Sequence, residues 1–164
     1  MKVDLPAPDI FFGNDKMEVT DTDIYKSDQA FTQGQMITVT GIDNLNEWWI
    51  DPDFFEKQSD GALKFLPING DYRVTANAVL KYFSVMALKD GKPAKLQDDG
   101  TGAIWAIGKG IGKPSVASSE VGWEPGKALC LAQVAPKKYQ LTLKAGETLK
   151  TSGDWEAISF KFFY

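Results

Sequence analysis

The chain has 164 residues, 43% hydrophobic and 24% charged, which suffices for the packed core of one ordinary domain or two small ones and excludes extensive disorder. Its net charge of −4, with no clustered basic face, excludes a nucleic-acid partner and adhesion to an anionic membrane surface. Histidine is absent, which removes Ser-His-Asp and Cys-His catalysis, histidine acid–base chemistry and most zinc sites.

In chain order, Met1-Lys2-Val3-Asp4-Leu5-Pro6 has no apolar targeting core, and no later stretch is long enough to span a bilayer. On this reading no export signal is expected in the chain as given. Residues 36–40 alternate in polarity. In residues 71–77, Tyr72, Val74 and Ala76 share one face, and in residues 138–144 Tyr139, Leu141 and Leu143 do the same. Residues 158–163 alternate again. Period two with β-branched and aromatic side chains predicts half-buried strands. Asn69-Gly70, Asp90-Gly91, Asp99-Gly100 and Ser152-Gly153 separate these runs as turns, because Gly and Asn tolerate positive φ. Many short strands with regular turns predict an all-β chain of antiparallel, immunoglobulin-like β-sandwich modules.

Residues 89–102 are polar and Gly-rich, and read as a linker or long exposed loop. They place the boundary between an N-terminal β-sandwich module, residues 1–97, and a second β module, residues 98–164. The second module is read as incomplete, with an edge after residue 163 that a natural protein would continue or pair, because an open sheet edge is costly and sticky.

Tryptophan carries the chemical signal. Trp48-Trp49 is followed by Asp51-Pro52-Asp53, Trp123 lies in Val121-Gly122-Trp123-Glu124-Pro125-Gly126, and Trp155 follows Gly153-Asp154. Sugar rings have apolar C–H faces that stack on flat aromatic surfaces, while their hydroxyls seek carboxylates and amides. A loop tryptophan beside such groups is a sugar platform with large contact area and low entropic cost. Trp48, Trp49, Asp51, Trp123 and Glu124 are accordingly the candidate ligand-binding residues. Adjacency of Trp48 and Trp49 in a strand would turn one ring inward and one outward. Trp105, in the apolar run 103–107, reads as core.

The remaining motifs read as structural. Gly108-Lys109-Gly110-Ile111-Gly112-Lys113-Pro114 lacks the Gly-Lys-[Ser/Thr] ending of a phosphate loop and is expected as a mobile loop. Asp51, Asp53 and Glu56 lack calcium-loop spacing and read as a solvated acidic turn. Cys130 sits in an apolar run and reads as a buried, inert thiol. No pair stands out among the 22 acids for glycoside hydrolysis. The expectation is therefore a non-enzyme without cofactor or metal.

A resemblance adds to this reading. Ile104-Trp105-Ala106-Ile107-Gly108, then Gly122-Trp123, then Phe160-Lys161-Phe162, resembles the β-sandwich modules of SusE/SusF-like surface glycan-binding lipoproteins of Bacteroidetes. Gly70-Asp71-Tyr72-Arg73-Val74-Thr75-Ala76-Asn77 is similar to their late Gly-x-Tyr strand. The resemblance spans the chain from about Gly34 onward, and Trp123 alone among the candidates matches a motif position. It implies non-catalytic polysaccharide or oligosaccharide binding at the cell surface, for glycan uptake. It also implies an outer-membrane lipid anchor, whose cysteine is not in this chain, and other outer-membrane glycan-uptake components as partners. The alternatives are a structural or adhesive surface β domain with no glycan ligand, and a non-catalytic accessory domain of a glycosidase.

Overall fold

The computed structural model describes residues 7–153 and 157–164, so Trp155 lies outside the described residues. The chain is all-β, with antiparallel sheets in a sandwich arrangement. Its one described α-helix, Val116–Ser119, is a single turn.

The alternation at residues 71–77 sits at the middle of the largest sheet. Gly70–Asn77 buries Tyr72, Val74 and Ala76 and leaves Arg73 and Thr75 less covered. It pairs with Ile24–Phe31 on one side and Tyr82–Lys89 on the other. Glu18–Asp21 and Lys92–Pro93 complete the five strands as edges. Asp90 and Gly91, with φ of 54° and 76°, join the Tyr82–Lys89 and Lys92–Pro93 strands. Left-handed geometry at both positions is what a type I′ hairpin turn requires.

Two three-stranded sheets supply the opposing layer. Phe11–Phe12 lies between Asp15–Lys16 and Val39–Thr40, and Leu63–Phe65 lies between Met36–Ile37 and Phe55–Lys57. The run at residues 36–40 is thus split between two sheets at Thr38, whose carbonyl accepts from the Gly13 amide. The core between the layers is aromatic. The Phe12 ring meets Phe31, Phe55 and Phe83 edge-on at 6.1, 5.7 and 5.2 Å. Each such ring contributes about 1.5–3 kcal/mol by leaving water, plus a smaller share from edge-to-face geometry.

Beyond residue 100, Trp105–Gly112 is the organising strand. It bonds Ser159–Phe163 along residues 105–109, and Leu129–Cys130 and Glu120–Gly122 along its other edge. A hairpin of Ala132–Ala135 and Lys138–Gln140 lies beside it. The expected strand at 138–144 is therefore short, although Tyr139, Leu141 and Leu143 all turn inward. The Gly108–Pro114 run corrects the mobile-loop expectation, because most of it is this buried strand. A Cβ on Gly108 would collide with the Phe160 and Ser159 backbone, and one on Gly112 with Ser119. These glycines let neighbouring backbones cross closely.

No sheet combines strands from both sides of residue 97 among the described residues. Packing does cross that point. Ala132 is fully buried in the aromatic core of the first half, and the Trp105 indole donates to the Ala94 carbonyl at 3.1 Å. Residues 89–102 are mostly exposed, but Ala94 is buried and the Gly100 carbonyl accepts from Gln133 and Tyr139. Cys130 is buried, and burial pushes its thiol up to about 11, which leaves it protonated and inert.

Candidate functional site

The Trp48-Trp49 pair follows a 3-10 turn, Leu45–Glu47. Trp48 is buried, with its ring 4.8 Å from Phe83. Trp49 is half-buried and held at both ends. Its amide donates to the Lys81 carbonyl at 2.8 Å, and its indole Nε1 donates to Glu147 Oε1 at 2.9 Å. Lys144 pairs with the same carboxylate at 3.0 Å, and its hydrogen bond is the main reason Glu147 titrates below its ordinary value. The polar handle of Trp49 is thus engaged across the two halves.

Asp51 and Asp53 do not form the expected solvated turn. Asp51 is 4% exposed and Asp53 is fully buried. Lys113, itself buried, reaches Asp51 Oδ2 at 2.7 Å and Asp53 Oδ2 at 3.3 Å. Asp53 also accepts from Gln140 Nε2 at 3.0 Å, from the Thr142 amide at 2.7 Å and from the Thr142 hydroxyl at 2.6 Å. Burial alone would raise the Asp53 pKa. The Thr142 bonds, the Lys113 charge and Gln140 outweigh it and hold the carboxyl below its ordinary value. Asp51 has fewer such partners, and burial raises its pKa despite Lys113. Pro52 separates two acids that clasp one lysine 60 or more positions along the chain. The Asp51 side chain faces the protein interior, away from any ligand in solvent.

Trp123 and Glu124 are placed differently. Val121 is 2% exposed and anchors the short strand Glu120–Gly122 in the second core. Gly122, at φ 60°, turns the chain outward, and a 3-10 turn, Pro125–Lys127, brings it back. Trp123 sits at the bend with 49% of its surface exposed. Lys161 Nζ lies 6.0 Å from the Trp123 ring centroid, a cation–π contact at the outer limit of range. Glu124 is exposed and pairs with Lys127 at 3.7 Å. The result is a half-exposed apolar ring with one cation over it and an exposed carboxylate next in the chain.

The five candidate residues do not form one site. Trp48, Trp49 and Asp51 belong to the first half, Trp123 and Glu124 to the second, and no hydrogen bond, ion pair or aromatic contact joins the groups among the described residues. Sequence reasoning missed Lys161 as a partner of Trp123, and Glu147 and Lys113 altogether. Alternation in Phe160-Lys161-Phe162 does place Lys161 opposite the two rings, but nothing local announces what it meets.

Residues 5–96 match the model of a family described as Domain of unknown function (DUF5125), and residues 99–164 match that of a Domain of unknown function (DUF5121). No curated protein and no solved structure matches the chain.

Proposed function

We propose, for a chain that belongs to the family described as Domain of unknown function (DUF5125), a non-catalytic role in binding polysaccharide at the cell surface. The exposed indole of Trp123 carries this reading. A buried tryptophan stabilises a core, but a ring half-open to water on a turn lacks that benefit and is available for a ligand. The open ring face takes the C–H face of a sugar, and the exposed Glu124 and Lys161 supply an acceptor and a donor for its hydroxyls. The likeness of Gly122-Trp123 and Phe160-Lys161-Phe162 to SusE/SusF-like modules supports the same reading, and with it an outer-membrane location beside other glycan-uptake components.

The test is electrophoresis of the native chain and Trp123→Ala through gels containing a panel of polysaccharides, with folding checked by circular dichroism. One stacked ring contributes on the order of 1 kcal/mol, so Trp123→Ala is expected to weaken retardation about five- to tenfold. A glycan that retards native and variant chains equally sinks the Trp123 assignment. If no glycan retards the native chain, the structural or adhesive reading replaces this one.

A further inference from the structure

A cleft of ≈ 280 Å³ opens where the two halves meet, between Pro93 and Met86 of the first and Pro125 of the second. The Trp105 indole, only 9% exposed and stacked on Phe163 at 6.4 Å and 15°, lines it together with Phe163 and Tyr164. Trp105 is held rigidly, because its Nε1 already donates to the Ala94 carbonyl. Tyr164 lines one wall and is 76% exposed, and Lys95 stands at the mouth. The cleft adjoins Trp123 in two ways. Pro125, in its wall, is two residues beyond Trp123. Lys161, which caps the Trp123 ring, is three residues before Tyr164 on the same extended segment, a span of about 10 Å.

We propose that this cleft is a second sugar subsite, continuous with Trp123, which takes the C–H face of another residue of the same glycan chain. The inference rests on the glycan reading above and deepens it. Among the described residues, Lys95 and Tyr164 are the cleft's polar side chains without a hydrogen-bond partner, so a fully enclosed sugar would leave hydroxyls unpaired at considerable cost. The bound ring therefore lies with its apolar face on the aromatic wall and its hydroxyls toward water, Lys95 and Tyr164. A short oligosaccharide bridges the distance to Trp123, and a single sugar ring does not. Binding at both places converts two weak contacts into one stronger one.

The experiment places the full chain in gels of amylopectin, xylan, mannan or mixed-linkage β-glucan. Tyr164→Ala removes an exposed wall. Gly126→Leu fills the mouth, and a Cβ there meets nothing within 4 Å, so the fold tolerates it. Val79→Ser, at a 68% exposed residue on a distant turn, controls for unspecific stickiness. In the gel that retards the native chain, both cleft variants are expected to lose about two- to tenfold in affinity, with Val79→Ser unaffected and melting temperatures unchanged. Full retardation of both cleft variants, with loss in Trp123→Ala, overturns the subsite and leaves the Trp123 platform standing. Loss in the cleft variants with none in Trp123→Ala removes the platform and overturns a subsite continuous with it. An equal loss in Val79→Ser overturns the subsite as unspecific. No retardation of the native chain in any gel overturns both readings.

Discussion

At the scale of single residues, Asp53 and Lys113 decide how the two halves meet. A buried ion pair is not by itself a source of net stability, because desolvation offsets attraction. Removing one partner is another matter. Asp53→Ala strands a buried ammonium with Asp51 alone and leaves Gln140 and the Thr142 donors without an acceptor. We expect it to lower unfolding stability by about 3–5 kcal/mol, read from the urea midpoint at pH 7. The effect depends on pH with a definite sign. The folded pKa of Asp53 is depressed, so its contribution is complete above the unfolded value of about 3.9 and is lost as pH falls through the folded one. The gap between native and Asp53→Ala chains should therefore narrow below about pH 4. Asp51, raised by burial, runs the opposite way, and Asp53 is one of the charges acting on it, so its own titration moves in the variant and adds to the comparison. A gap that widens in acid would falsify this account of Asp53.

Binding at Trp123 is expected to vary little with salt. Lys161 and Glu124 are exposed, and screening weakens their charge without touching ring stacking. Gel retardation measured at low salt and at about 0.5 M salt should differ by less than about threefold. A steep salt dependence would point to ion pairing as the source of affinity.

At the scale of elements, the strand Trp105–Gly112 makes its own prediction. Gly108 has φ 142° and no room for a Cβ against Phe160 and Ser159, whereas Gly126 is open. Gly108→Ala should cost about 1–3 kcal/mol through backbone strain and overpacking, and should loosen the Ser159–Phe163 strand. Gly126→Ala should shift stability by no more than about 0.5 kcal/mol. Thermal melts of the two variants check both. The strand Gly70–Asn77 was legible beforehand, because alternation is a local property and Tyr72, Val74 and Ala76 declare their face without help from elsewhere. The Gly108–Gly112 strand was not. Glycine signals a loop when read locally, and only the approach of Ser159, Phe160 and Ser119 explains why glycine is needed inside a strand.

At the scale of the whole molecule, the halves share more than a boundary. The Trp49–Glu147 bond, the Lys113 clasp, Ala132 in the aromatic core and the Trp105–Ala94 bond all cross from one half to the other. Separating the halves would expose the Ala132 socket and leave Asp53 without the partners it has after residue 100. We expect one unfolding transition, with coincident midpoints by tryptophan fluorescence and far-ultraviolet circular dichroism. Two resolved transitions would show that the halves fold independently.

Composition and period by themselves determined the all-β class, the strand faces at Gly70–Asn77 and the inert Cys130, because each follows from neighbours along the chain. They also marked Trp123 as a surface candidate, since Gly122 and Pro125 bend the backbone on either side of it. Only the tertiary structure separated Trp123, open to water, from Trp48 against Phe83 and Trp49 bonded to Glu147. Only it turned Asp51 and Asp53 inward onto Lys113, and set Lys161 over the Trp123 ring. Those partners lie tens of residues apart. Burial and pairing are fixed by what the rest of the chain brings alongside a residue, and no local pattern contains that information.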